Sequence, residues 1–112
     1  MAMMSYKVVI TPKAKGQITD IFDYITCELH SPGAAKKLFD RMMQAIQSLD
    51  TFPKRFAILD LEEAYPEEIR RVMVKNYSIF YTIQEEETVV VLSVLYSASD
   101  FKTKFLGNRG RD

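Results

Sequence analysis

The chain has 112 residues, of which 47% are hydrophobic and 27% are charged, and its 15 basic residues balance its 15 acidic residues. A chain of this length folds as one domain with its own core. We therefore predict a single domain over residues 1–112, with a core at about 5–106 and a frayed tail at 107–112. The zero net charge excludes a bulk attraction to nucleic acid or to an anionic membrane, so any such binding needs a local patch.

The single cysteine and the first residues bear on cellular location. Cys27 has no partner for an internal disulfide, which is typical of a reducing compartment. We interpret it as a small buried apolar residue rather than a reactive thiol. The first ten residues, MAMMSYKVVI, lack a signal-peptide pattern, and no apolar stretch approaches the roughly 20 residues that cross a bilayer. These features predict a cytoplasmic protein that does not bind membranes.

The first half of the chain predicts one strand and two helices. A β-branched run from Tyr6 to Ile10 ends at Thr11-Pro12, and a capping residue followed by proline is a helix-start signal. Ser31-Pro32 repeats the signal before a second helix at about 32–49, and apolar residues recur at spacings of three and four in both segments. Helices joined by so short a turn pack as an antiparallel hairpin. The turn contains His30, the only histidine, and a single histidine is too few ligands for a metal site, so we predict no metal and no cofactor.

The second half predicts three strands, at Ile69 to Lys75, Tyr77 to Ile83 and Thr88 to Tyr96. Short polar turns separate them, which indicates an antiparallel meander. Residues 99–106 have the pattern of one or two further helical turns. The predicted order is β-α-α-β-β-β with an optional terminal helix. This order is typical of an α+β fold in which a helical hairpin packs on one face of a mainly antiparallel four-stranded sheet.

The last two predicted strands, YSIFYTI and TVVVLSVLY, are apolar on nearly both faces. A helical hairpin covers only one face of a sheet. We therefore expect either the C-terminal segment or a partner protein to cover part of the other face.

Several segments, taken in order, resemble a known family. They are YKVVIT before a helix that ends in DYIT, Ala34-Ala35 at the start of the second helix, SLDTFPKR at its end, and IRRVMVKNYSIFYTI followed by TVVVLSVLY. Over about residues 5–106, this set resembles the RelE/ParE toxins of bacterial type II toxin-antitoxin (plasmid stabilization, addiction) modules. The resemblance implies a toxin that a cognate antitoxin neutralises in a hetero-oligomer, wrapping it as a helix and often as an added strand.

Antitoxin binding of that kind needs exposed apolar grooves and unpaired sheet edges. Flexible methionines suit such a surface, and so do the aromatic residues near the chain end. The expected antitoxin contacts are Met42, Met43, Met73, Phe101 and Phe105.

The resemblance leaves two mechanisms open. RelE-like members cleave messenger RNA on the ribosome, whereas ParE-like members poison DNA gyrase without an enzymatic step of their own. Cleavage through a 2′-hydroxyl needs a base, an acid and cations around the phosphate. The candidates for that catalytic set are Arg71, Lys75, Tyr77, Tyr81 and Tyr96. The candidates for contact with a target or with nucleic acid are Lys54, Arg55, Arg70 and Arg71.

Alternation along the first meander strand predicts which face of the sheet each of its basic side chains occupies. Arg71 and Lys75 should share one face with Met73. Arg70 should lie on the other face, where it could bond to a loop or to the acidic segment before it.

Two positions count against catalysis. Relatives often carry arginine where this chain has Ser78, and arginines after the last strand where it has Ser97-Ala98-Ser99. Without those cations, nothing lowers a tyrosine pKa from its ordinary value of about 10. The sequence therefore favours a ParE-like, gyrase-directed or otherwise non-catalytic toxin over a RelE-like mRNA endoribonuclease. A third alternative is a weakened toxin that acts mainly as an antitoxin partner, which the neutral net charge also fits.

Overall fold

The computed structural model describes residues 5–59, 68–85 and 87–96. The strands are β1 (Lys7–Ile10), β2 (Arg70–Val74), β3 (Tyr77–Gln84) and β4 (Thr88–Tyr96). The helices are α1 (Pro12–Asp23) and α2 (Pro32–Gln47). A π-helical turn at Tyr24–Glu28 extends α1, and short 3-10 turns occupy Ser48–Asp50 and Pro53–Arg55. The predicted order is confirmed over this part, whereas the predicted terminal helix at 99–106 lies outside the described residues.

The four strands form one sheet in the order β1-β4-β3-β2. β1 runs parallel to β4, and the other two pairs are antiparallel. The register between β3 and β4 shifts between Phe80 and Tyr81, which is a β-bulge. This sheet, with the two helices packed on it, confirms the predicted α+β architecture.

The two helix starts behave differently although their sequences carry the same signal. The Thr11 hydroxyl accepts the Ala14 N–H at 3.1 Å and donates to the carbonyl of Leu92 at 3.3 Å. It therefore caps α1 and also attaches the start of the helix to β4. Ser31 precedes α2 as predicted, but its hydroxyl donates to the Leu29 carbonyl at 3.1 Å and does not cap the helix.

The main core lies between the helices and the sheet. Its buried members are Ala14, Ile18, Ile25, Ala35, Leu38, Met42, Ile46, Leu49, Val72, Val74, Ile79, Tyr81, Val89, Val91 and Val94. Most of the apolar residues that the helical spacing places on the inner faces of α1 and α2 lie in this core or pack against it, but Leu29 and Phe39, which the same spacing selects, are exposed. The helices thus cover one face of the sheet, as expected.

A smaller cluster covers part of the other face. Ile69 and Phe80 are buried there, with Leu59, Leu92 and Leu95 packed against them. The Leu59 N–H donates to the carbonyl of Ile69 at 2.7 Å, so the segment after α2 runs beside β2. The sequence pattern predicts cover from the C-terminal segment or a partner, and it does not indicate this contribution from Leu59.

Cys27 lies in the π-helical turn and is exposed, so the prediction of a buried cysteine is wrong. Cys27 comes two positions after the buried Ile25, and residues two apart on a helix do not share a face. None of the described helices has the length and apolar character needed to span a membrane.

Candidate binding groove

A groove of about 670 Å³ lies between the second half of α1 and the end of the sheet where β3 begins and β4 finishes. The helical side contributes Gln17, Asp20, Ile21, Tyr24 and Leu29, and the sheet contributes Tyr77, Val94, Leu95 and Tyr96. We call this site the tyrosine groove. Its volume lies in the range of sites that take a small ligand or a few protein side chains.

Exposed apolar side chains concentrate in the tyrosine groove. Tyr24 is 55% exposed, Leu29 is 53% exposed and Tyr96 is 47% exposed. Tyr24 is the first residue of the π-helical turn and Leu29 directly follows the turn, and both line the groove. π-helical turns are often found at functional sites. Together these features indicate a docking site for another molecule.

Tyr77 and Tyr96 form the sheet side of the groove. They face each other across β3 and β4, with ring centroids 5.5 Å apart and ring planes at 62°. Burial raises the pKa of Tyr77 above its ordinary value, and the nearby hydroxyls of Tyr96 and Tyr24 raise it further. Tyr77 is therefore protonated at neutral pH and can donate a hydrogen bond, but it is a poor general base.

Gln17 fixes the distance between the two sides of the groove. Its side-chain oxygen accepts the N–H of Val94 at 2.7 Å and the hydroxyl of Ser93 at 3.0 Å. Both donors lie beyond Val91, the last residue of β4 that pairs with β1, so Gln17 bonds to the part of the β4 edge that β1 does not reach. This contact attaches α1 to β4 about one helical turn before Asp20, which lines the groove.

Tyr81 lies in the core and not in the groove. Its side chain is fully buried, and its hydroxyl donates to the carbonyl of Pro53 at 2.6 Å. Burial raises the pKa of Tyr81 to about 12, although the charges of Arg70 and Arg55 act in the opposite direction. The structure thus corrects the prediction that Tyr81 is a catalytic candidate, because a buried hydroxyl bonded to the main chain cannot reach a substrate.

Two arginines predicted to contact a target instead hold the segment after α2. Arg55 donates to the carbonyls of Thr51 at 2.6 Å and Phe52 at 3.2 Å, and its guanidinium lies 4.7 Å from the centre of the Phe56 ring. Arg70 donates to the carbonyls of Lys54 at 3.1 Å and Phe56 at 2.5 Å.

The position of Arg70 agrees with the expectation that it would bond to a loop, and its side chain is only 12% exposed. Both guanidiniums therefore have structural roles. Of the three cations predicted in this region as target contacts, Lys54 has its side chain on the exposed surface, while its carbonyl accepts from Arg70.

The remaining cationic candidates lie elsewhere. Arg71 is opposite Phe80 in the sheet register and shares with Met73 the face turned away from the helices, as predicted. Lys75 does not share that face, because β2 ends at Val74 and Lys75 lies in the turn to β3 with a φ of 53°. The prediction that Arg71 and Lys75 align along one strand face is therefore wrong. A tight hairpin needs a left-handed residue at this point, and that need overrides strand alternation.

The methionines divide between core and surface. Met42 is 1% exposed, so the structure corrects its assignment to an antitoxin surface. Met43 is partly buried at the edge of the core, and Met73 is 51% exposed. Phe101 and Phe105, together with Ser97-Ala98-Ser99, lie outside the described residues. Within the described ranges there is no cluster of three His, Cys, Asp or Glu side chains that could hold a metal ion.

Comparison with known proteins agrees with this architecture. The family model described as the ParE toxin of the type II toxin-antitoxin system, parDE, matches residues 8–101. A structure of the chromosomal ParDE toxin-antitoxin system from P. aeruginosa is similar, with a TM-score of 0.68 and 17% identity, covering 83% of this chain and 97% of that one. A structure of the toxin-antitoxin complex RelBE2 from Mycobacterium tuberculosis has a TM-score of 0.63 and 19% identity, covering 88% of this chain and 98% of that one. No match was found among curated proteins. Because the family model spans most of the chain, this protein belongs to the ParE toxin family of type II toxin-antitoxin systems.

Proposed function

We propose that this protein is a ParE-like toxin that acts by binding its target, DNA gyrase. We further propose that a cognate antitoxin neutralises it by binding at the tyrosine groove. The observation that supports a binding mechanism most directly is the surroundings of the tyrosines: the described residues that line the groove beside Tyr77 include no cation, and the Tyr81 hydroxyl is buried and donates to the Pro53 carbonyl. Both described tyrosines with a shifted pKa, Tyr77 and Tyr81, have it raised rather than lowered.

The alternative mechanism, RNA cleavage, requires a base that is deprotonated in a useful fraction of molecules near neutral pH. A tyrosine meets that requirement only when adjacent positive charge lowers its pKa. Tyr81 has two arginines nearby, yet burial outweighs them and its pKa is about 12. Arg55 and Arg70 also donate to main-chain carbonyls, which leaves them poorly placed to hold a phosphate. A binding mechanism needs none of these groups to be activated.

The groove and the sheet edges support an antitoxin partner. The groove exposes three large apolar side chains on a protein whose composition is otherwise that of a soluble domain. β1 and β2 are the edge strands of the sheet, and because residues 58–59 already pair beside the start of β2, the edge of β1 is the proposed place where an extended segment adds. Both similar structures are described as toxin-antitoxin systems or complexes. An antitoxin that combines a helix in the groove with an added strand would use both features.

The mechanism is tested by two assays on the same purified protein. A DNA supercoiling assay measures gyrase activity, and mapping of message ends in a translating extract measures ribosome-dependent cleavage. Inhibited supercoiling with intact message is the expected result. Codon-linked loss of message would contradict the proposal in favour of a RelE-like nuclease. No effect in either assay, together with normal growth on expression, would contradict it in favour of a weakened toxin.

The antitoxin site is tested separately, with the protein encoded by the neighbouring reading frame as the probe. Leu29→Asp places a charge in the groove, and Phe52→Asp places the same charge at a side chain that is 76% exposed and outside the groove. We expect the Leu29 variant to lose co-purification of the neighbouring protein, and the Phe52 variant to retain it. Equal binding by both variants would refute the groove as the antitoxin site.

A further inference from the structure

The tyrosine groove has a charge pattern that the proposed function does not explain. Asp20 lines it, and residues 16–35, which include all the described lining residues from the first half of the chain, also carry Asp23 and Glu28 but no Lys or Arg. The described sheet residues that line the groove contain no cation either. On a chain whose charges balance overall, the described lining of the groove thus carries one carboxylate and no Lys or Arg.

The aromatic faces point to the same kind of ligand. Tyr24, Tyr77 and Tyr96 all line the groove, and Tyr77 and Tyr96 are in edge contact at 5.5 Å. The face of an aromatic ring attracts a cation, and the attraction increases as water is excluded. In the described part of the chain, the Asp20 carboxylate has no ion-pair partner that would cancel its charge. Several aromatic rings around one uncompensated carboxylate form a suitable site for an ammonium or a guanidinium group.

We propose that the tyrosine groove binds a Lys or Arg side chain that the antitoxin inserts between apolar neighbours, with Asp20 as the counter-ion and Tyr24, Tyr77 and Tyr96 as the aromatic wall. This inference rests on the proposed role of the groove as the antitoxin site. Leu29 and Leu95 supply the apolar surface that the neighbouring side chains of the partner would cover. A neutral or acidic segment of the same shape would gain the apolar contacts but would leave the carboxylate unpaired.

The direct test uses two peptides that differ only in charge. Acetyl-Leu-Arg-Leu-amide carries the guanidinium, and acetyl-Leu-citrulline-Leu-amide replaces it with a neutral urea of nearly the same shape. Binding to the purified full-length protein is followed by NMR of isotope-labelled tyrosine rings. We expect the arginine peptide to shift the resonances of Tyr24, Tyr77 and Tyr96 and to bind about fivefold more tightly at low salt, with the preference falling as salt is added. Equal affinity of the two peptides would overturn the proposal.

Matched variants separate the charge from the aromatic surface. Asp20→Asn should weaken the arginine peptide by about threefold, whereas Glu85→Gln, in the turn at the opposite end of β3, should leave binding unchanged. Tyr24→Phe keeps the ring and should bind like the original protein, while Tyr24→Leu keeps only the apolar bulk and should lose most of the preference for arginine. Tyr24 is 55% exposed, so neither change threatens folding. Retention of the preference in Tyr24→Leu would refute the aromatic part of the site.

A competing occupant is the chain's own C-terminal segment, which contains Lys102 and Lys104. The double variant Lys102→Gln/Lys104→Gln distinguishes the two sources of the cation. Unchanged affinity for the arginine peptide supports a partner side chain as the ligand. A severalfold gain in affinity would mean that the chain's own lysines compete for the groove, and it would overturn the assignment to a partner. These measurements use neither gyrase nor message, so their failure is distinguishable from failure of the proposed toxin mechanism.

Discussion

Tyr81→Phe is the change that best separates a structural role from a catalytic one. It removes only the hydroxyl, which donates to the Pro53 carbonyl at 2.6 Å from a fully buried side chain. Loss of a buried hydrogen bond that leaves its acceptor unpaired costs about 2 kcal/mol of the free energy of unfolding. Urea denaturation measures this loss. Tyr6→Phe, at a partly buried ring on the edge of the core, is the matched control and should cost less than about 0.5 kcal/mol.

The same variant has a characteristic pH dependence. The folded-state pKa of Tyr81 is about 12, whereas the unfolded chain releases this proton near pH 10. Between these values the native state holds more protons than the unfolded state, so native stability falls as pH rises. A shift of this size corresponds to at most roughly 2 to 3 kcal/mol. The stability advantage of the original protein over Tyr81→Phe should therefore be fully present below about pH 10 and lost as the pH approaches 12.

Two results would refute this reasoning. A stability difference that stays constant from pH 8 to pH 12 would mean that Tyr81 does not titrate with a raised pKa. Loss of gyrase inhibition by a Tyr81→Phe protein that is still folded at the assay temperature would mean that the hydroxyl acts on the target. The structure predicts that the folded variant retains full activity, because the hydroxyl faces the Pro53 carbonyl and not solvent.

Three further changes test the packing described above. Arg70→Met should lower the free energy of unfolding in urea by about 2 to 3 kcal/mol, because it leaves two loop carbonyls without their donor. The control Lys36→Met removes an exposed ion pair and should cost less than about 0.5 kcal/mol. Equal losses in the two variants would contradict the structural role of Arg70. Thr11→Ala should cost about 1 kcal/mol through loss of the α1 cap, and an unchanged melting temperature would count against it. Met42→Ala should lower the free energy of unfolding by about 2 to 5 kcal/mol, and Met73→Ala should lower it by less than about 0.5 kcal/mol. A larger loss in the Met73 variant would contradict the placement of Met42 in the core.

Local signals in the sequence predicted the elements well, and they failed where a distant contact decides the outcome. The cap and proline at Thr11 were sufficient for α1, since the capping bond spans only three residues. The same signal at Ser31 predicted the helix start but not the hydroxyl contact, because the Leu29 carbonyl at the end of the preceding turn competes for that hydroxyl. Lys75 was assigned to a strand by alternation, but the hairpin to β3 requires a left-handed residue there.

The tyrosine groove was harder to predict because its two walls are far apart in the sequence. Tyr77 and Tyr96 were selected from the strand pattern, but as candidate catalysts and not as parts of a binding surface. Tyr24 and Asp20 were not selected at all, since a tyrosine and an aspartate on a predicted amphipathic helix are typical of an ordinary solvated face. One signal is present in the sequence: residues 16–35 contain three acidic residues and no Lys or Arg. Without the fold, nothing indicates that Asp20 lines the same groove as two tyrosines from the sheet.

The distribution of tyrosines and cations supports the proposed binding mechanism over RNA cleavage. A tyrosine acts as a base only if it is both accessible and close to positive charge. Tyr81 is close to two arginines, but it is fully buried and its hydroxyl is already bonded. Tyr77 and Tyr96 line an open groove, but the described residues that line it include a carboxylate and no cation. In the described structure, accessibility and nearby positive charge are thus found at different tyrosines. Converting one of these tyrosines into a base would require either a cation in the groove or an exposed position for the Tyr81 ring. The described lining of the groove, a carboxylate among tyrosines, supports instead the proposed role as a binding site for positive charge from outside.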